Sequence, residues 1–142
     1  MNVVMLLADS AQVADGKLFI LGGGWSMIGP DPAPFAVAMK LEVAWTEANA
    51  EHHWELFLED EDGQPVIFDT PQGPSPVELR GDLSVGPVEG LLPGTSLDVP
   101  MAINFGPMPF KTGSRFTWRF IMDGEAVPGG ILTFSVRPEE IN

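Results

Sequence analysis

The sequence predicts an all-β fold, an antiparallel β-sandwich of about eight or nine strands with at most one short helical turn. Three observations carry that reading. Apolar residues recur at every second position through most segments, which is the period of a half-buried strand. No long stretch shows the 3.6-residue apolar period of a helix. Gly and Pro number 16 and 14, enough for many turns and short of the roughly 25–30% that marks low-complexity disorder. The 142 residues are 44% hydrophobic, which fits a single domain over 1–142 with one core. Whether its topology is of the jelly-roll or the immunoglobulin-like kind is left open by the pattern.

The elements follow in chain order. Val3 to Ala8 and Leu18 to Leu21 are apolar at every position, so both strands are expected to be covered on both faces, with Asp15-Gly16 as the turn between them. In a sandwich the second cover comes from a loop, an arm or another subunit. That makes Val3, Met5, Leu7, Phe19 and Leu21 candidate interface residues. Pro30, Pro32 and Pro34 fall at alternate positions of the next connection. Proline cannot donate to a ladder, so the segment reads as an extended arm, guarding an edge or reaching a neighbouring subunit.

Phe35, Val37, Met39, Leu41 and Val43 alternate as a strand. Thr46 to Ala50 suits one helical turn, with Thr46 as cap and Glu47 near its positive end. Trp54, Leu56 and Leu58 form a further strand, ending in the turn Asp62-Gly63. Pro71, Pro74 and Pro76 mark a second long connection. Val77, Leu79, Leu83 and Val85, then Leu97 to Phe105, then Phe116, Trp118, Phe120 and Met122 repeat the period of two. Leu132, Phe134 and Val136 complete the set, paired with the preceding strand across Asp123-Gly124 through a longer loop from Glu125 to Gly130.

Seven Lys+Arg against twenty Asp+Glu give a net charge of −13. A nucleic-acid or anionic-membrane partner needs a basic footprint that this chain lacks, so neither is expected. The N-terminal apolar run has no positively charged leader and is broken by Asp9, so no signal peptide or transmembrane segment is expected. Residence in the cytoplasm or within an assembled particle fits. The absence of cysteine excludes disulfides, thiolate zinc sites and cysteine nucleophiles.

Signatures of catalysis are missing. Gly22-Gly23-Gly24 lacks the spacing and lysine of a phosphate loop and reads as a bulge or a close approach, with Trp25 packed over the glycines. Eight acidic residues and no Lys or Arg lie between Glu42 and Asp62. A solvated hairpin tip explains them best, with Asp60 and Asp62 as candidate calcium ligands in the sharper reading. His52 and His53, the two histidines, point to opposite faces of a strand and cannot share a metal. No nucleophile elbow or zinc-protease helix is present. The chain is therefore not expected to be an enzyme, and no cofactor is implied. Arg115, Arg119 and Arg137 could share one outer face, as a docking surface or as partners in local salt bridges.

Met5-Leu6-Leu7-Ala8-Asp9 and Gly16-Lys17-Leu18-Phe19-Ile20-Leu21-Gly22-Gly23-Gly24-Trp25 resemble the opening of an uncharacterised family of small β-rich proteins from high-GC bacteria and their phages. Trp45-Thr46-Glu47-Ala48-Asn49, His53-Trp54, Pro93-Gly94-Thr95 and Pro100-Met101-Ala102-Ile103-Asn104 resemble its later motifs. The resemblance spans most of the chain and implies no activity or site residue; it makes a phage or particle-associated role worth carrying. The leading expectation is a non-enzymatic structural or interaction module with a protein partner or self-association, a virion coat-decorating protein being one instance. The alternative is a small-ligand or carbohydrate-binding module that stacks ligands on Trp25, Trp45 or Trp54, with calcium assistance.

Overall fold

The architecture is that of a computed structural model, which describes residues 1–86 and 89–140. Eleven strands and one 3-10 turn make up the regular structure. They are β1 (Asn2–Ala14), β2 (Lys17–Gly23), β3 (Met27–Ile28), β4 (Phe35–Val43), β5 (Glu51–Glu59), β6 (Ile67–Thr70), β7 (Gly73–Pro76), β8 (Glu78–Ser84), β9 (Leu97–Phe105), β10 (Arg115–Met122) and β11 (Glu125–Val136). A four-stranded sheet has the order β2-β1-β4-β9, a five-stranded sheet β3-β11-β10-β5-β8, and β6-β7 form a separate ribbon. All pairings between these strands are antiparallel except β3 with β11. Among the described residues no helix is long and apolar enough to cross a membrane.

The period of two becomes a core because alternate side chains of both large sheets turn toward each other. Met5, Leu7, Phe35, Val37, Met39 and Leu41 of one sheet share a single buried cluster with Leu56, Leu58, Trp118, Phe120 and Phe134 of the other. Trp118 and Phe120 are wholly buried, each contributing on the order of 1.5–3 kcal/mol by leaving water. Trp118 stacks on Phe105 at 5.1 Å across the two sheets, within the range aromatic pairs prefer.

The strand count exceeds the expected eight or nine because three short strands carry no readable period. β3 has two residues. β6 and β7 occupy the second proline-rich connection, expected to be an extended loop or an edge-side arm, with Pro74 opposite Asp69 and Pro76 opposite Ile67. A two-stranded ribbon tolerates proline wherever the missing N–H faces away from the partner. The helical turn is shorter and earlier than expected, a 3-10 turn at Trp45–Glu47. Thr46 lies inside it and does not cap it; instead Ala44 N–H donates to Glu47 Oε1 at 3.2 Å.

The β10–β11 connection also differs from expectation. Asp123 and Gly124 both have positive φ, 52° and 79°, as a two-residue type I′ hairpin requires. Glu125 to Gly130 are therefore strand and not loop. The extra residues form a bulge, seen as a register shift between Arg119 and Ile121. Gly129 makes that bulge possible: at φ +84° it lies so close to β1 that a Cβ would sit 1.9 Å from the Val3 carbonyl oxygen. The bulge thus joins β11 of one sheet to the start of β1 in the other.

Of the doubly apolar N-terminal strands, β1 is covered on one face from Val3 to Leu7, and β2 is open at Phe19, Ile20 and Leu21. Val3, Met5 and Leu7 are buried in this chain's own core, which removes them as interface residues. Their alternates Val4 and Leu6 are the exposed ones, at 61% and 38%. Beyond Ala8, β1 leaves β4 and continues with β2 as a hairpin bent over the outer face of the four-stranded sheet. Ala36 and Ala38 there are buried beneath Ala11 and Leu18, with Ala102 alongside. Three alanines on that face let the hairpin approach closely.

Candidate functional site

The β1–β2 hairpin begins at a turn that the sequence dictates. Asp15 and Gly16 adopt φ 52° and 69°, again a type I′ pair, and Ala14 lies opposite Lys17. Such a turn makes Ala14–Lys17 a hydrogen-bonded pair, so Gln12–Phe19 and Ser10–Leu21 are hydrogen-bonded pairs too. Lys17, Phe19 and Leu21 consequently direct their backbone groups at β1. Leu18 and Ile20 direct theirs outward, where β2 is the edge of its sheet and has no further strand among the described residues.

The side chains of this edge are as open as its backbone. Phe19 is 50% exposed, Ile20 38% and Leu21 70%. With Ser10, Ala11, Gln12 and Asn104 they line an open groove of about 630 Å³. Asn104 fixes the hairpin in place: its Oδ1 accepts from Ala11 N–H at 3.2 Å and its Nδ2 donates to Ala11 C=O at 2.7 Å. One side chain thereby replaces a missing neighbouring strand. Sequence reading missed Asn104, because nothing in a period of two distinguishes a polar residue facing solvent from one facing a bent-back hairpin.

The other candidate residues are dispersed. Trp25 does not lie over the glycines; its ring meets Phe35 and Phe134 edge-on, each at 6.4 Å. A Cβ at Gly22 would meet the Asp9 side chain and one at Gly23 the Ile20 side chain, not the Trp25 ring. Trp54 stacks on Phe120 and covers Gly81, where a Cβ would come within 2.6 Å of its ring. Trp45 stands partly exposed on the 3-10 turn. Phe35 begins β4 and Val43 ends it just before Trp45, so Trp25 and Trp45 occupy opposite ends of the molecule and form no common platform. Pro30 is half-buried, while Pro32 and Pro34 are exposed in a non-strand segment.

The acidic tip is organised by its own backbone. Asp60 Oδ1 accepts from the N–H groups of Asp62 and Gln64, each at 2.9 Å, which is the work of a turn-forming aspartate. Asp62 is exposed. Among the described residues no three His, Asp or Glu side chains are grouped as a metal site would require. Arg119 donates to Glu59 at 2.6 Å, and Arg137 Nε approaches the Met27 sulfur at 3.3 Å. Arg119 thus has the local ion-pair role.

His52 and His53 do face opposite ways. His53 pairs with exposed Asp82 at 2.9 Å. His52 is buried, with Nδ1 2.7 Å from Asp123 Oδ2 and Nε2 2.8 Å from the Glu47 carbonyl. A carbonyl and an ionised carboxylate only accept, so both contacts are hydrogen bonds when both ring nitrogens donate, and the geometry favours the ring as a cation. The Asp123 hydrogen bond, then the Glu47 carbonyl, hold the His52 pKa above its ordinary value, against the cost of burial. His52 in turn, with the His53 N–H, holds the Asp123 carboxyl below its usual range. The Met1 ammonium, 3.1 Å from Glu47, lowers that carboxyl as well. This network ties the 3-10 turn to the β10–β11 hairpin.

No curated protein matches the chain. No solved structure matches it either. The model of one protein family, described as a family of unknown function (DUF6941), matches residues 3–135. From Val3 to Ser135 the match takes in both large sheets and the open hairpin, and the chain belongs to that family.

Proposed function

We propose that this protein is a non-enzymatic structural or interaction module that works through the β1–β2 hairpin. The observation that carries the reading is the exposure of Phe19, Ile20 and Leu21 together on an edge strand. Large apolar side chains grouped at an unprotected sheet edge are the feature soluble proteins avoid unless something covers it. The scaffold reads as an immunoglobulin-like sandwich: the orders β1-β4-β9 and β11-β10-β5-β8 follow the Greek-key sequence of that class, with β2 added outside β1. A protein contact within an assembled particle, such as a virion coat, is a concrete setting for such a module.

The test is retention of a stoichiometric protein partner from the native lysate or particle by immobilised wild type and by Leu21→Glu. The reading expects retention by the wild type and its loss in the variant, with unchanged melting. A wild type that binds neither itself nor any protein, or a variant that binds equally well, overturns it.

A further inference from the structure

We propose that the occupant of the β2 edge is a second copy of this chain, joined antiparallel across a two-fold axis at Phe19 to make one continuous eight-stranded sheet. The proposal rests on the interaction reading above and specifies the partner.

Along the extended stretch from Lys17 to Leu21 the outward backbone groups of β2 belong to Leu18 and Ile20, and only another strand satisfies such a row in full. Placing Phe19 opposite its own symmetry mate sets Leu18 against Ile20 of the copy, and Ile20 against Leu18. All four outward N–H groups and all four outward C=O groups then pair using extended residues alone. Shifting the axis to Ile20 would bring in Gly22, whose φ of +62° is not extended backbone.

The same register brings side chains into apolar rows. Phe19 meets Phe19 of the copy on the axis, flanked on each side by its β1 neighbour Gln12. On the opposite face Ala11, Ile20, then Leu18 and Val13 of the copy succeed one another. A two-fold interface requires a patch that complements itself, and this strand does.

The other edges carry the devices that prevent pairing. β9 has Asp98 and Pro100, β8 has Glu78, Arg80 and Asp82, and β3 is two residues long. β2 contains no proline and no carboxylate; Lys17 is its single charge. In a chain of net charge −13, this is the edge where two copies meet without carboxylates of the strands facing each other. The remaining repulsion is long-range and is screened by salt.

Sedimentation equilibrium over a range of protein concentrations and at low and high NaCl tests the proposal, with Phe19→Glu and Ile20→Pro as variants. Phe19→Glu sets like charges on the axis. Ile20→Pro deletes an N–H that points away from β1. The wild type is expected to reach twice the 15.3 kDa chain mass as concentration rises, more readily at high salt, and both variants to remain at the single-chain mass with wild-type circular dichroism. A wild type that stays at the single-chain mass at every concentration and salt overturns self-pairing. The interaction reading then still stands or falls on partner retention by Leu21→Glu. A dimer that survives both variants also overturns the proposal, by placing the contact elsewhere.

Discussion

Gly129→Ala is predicted to be among the most damaging methyl additions in the protein, and Gly124→Ala shows why by contrast. The two glycines have nearly the same backbone, φ +84° and +79°, so each alanine costs about 1–2 kcal/mol for the left-handed conformation. Around Gly124 a Cβ meets nothing within 4 Å. At Gly129 it lands 1.9 Å from the Val3 carbonyl oxygen and must retreat by about 1 Å, moving backbone and not a flexible side chain. Such overpacking adds about 1–3 kcal/mol. Gly129→Ala should therefore cost about 2–5 kcal/mol, and Gly124→Ala about 1–2. At this chain length each kcal/mol lowers Tm by roughly 3–5 °C. Urea and thermal unfolding of both variants measure the gap, and equal losses would refute the claim that the β11 bulge locks onto β1.

Three further outcomes follow from the same contacts. Asn104→Ala leaves the Ala11 N–H and C=O without their partner, which should cost about 1–3 kcal/mol and speed hydrogen exchange in the hairpin before the rest of the fold. Because the folded pKa of His52 is raised from 6.5, its stabilisation is complete below about pH 6.5 and is lost as the pH rises through the folded value. Asp123, lowered from 3.8, contributes above that value and loses its contribution as the pH falls through the folded one. Urea midpoints from pH 6 to 9 should decline in the wild type, and His52→Gln should flatten that decline; parallel curves would show that His52 is not the cation described. Gly81→Ala should destabilise the fold and alter tryptophan emission, since its Cβ would press on the Trp54 ring, and unchanged emission would contradict that placement.

Much of the fold is written in local periodicity. Phe116, Trp118 and Phe120 alternate with Arg115, Thr117 and Arg119, and these three apolar residues are buried together with Met122. Asp15-Gly16 and Asp123-Gly124 announce turns that need positive φ, and both adopt it. Where alternation fails, so does the reading. Val3 to Ala8 offers no phase, so the sequence cannot tell that Val3, Met5 and Leu7 face inward while Val4 and Leu6 face out. That choice is made by pairing with β4, a strand some thirty residues away. The hairpin's bend is equally silent, because Ala36, Ala38 and Ala102 look like ordinary small residues until Ala11 and Leu18 lie on them. Phe19 and Leu21 were readable as interface candidates from their hydrophobicity. Their position on an edge was not, since strand order depends on contacts remote in sequence.

Amide hydrogen exchange along β2, followed as the protein is concentrated, tests the central claim most directly. The pairing with β1 protects Lys17, Phe19 and Leu21 at any concentration, whereas the Leu18 and Ile20 amides gain protection only when a second strand arrives. The account predicts that these two amides slow as concentration rises while their neighbours do not change. Leu18 and Ile20 amides that exchange rapidly and independently of concentration would contradict it.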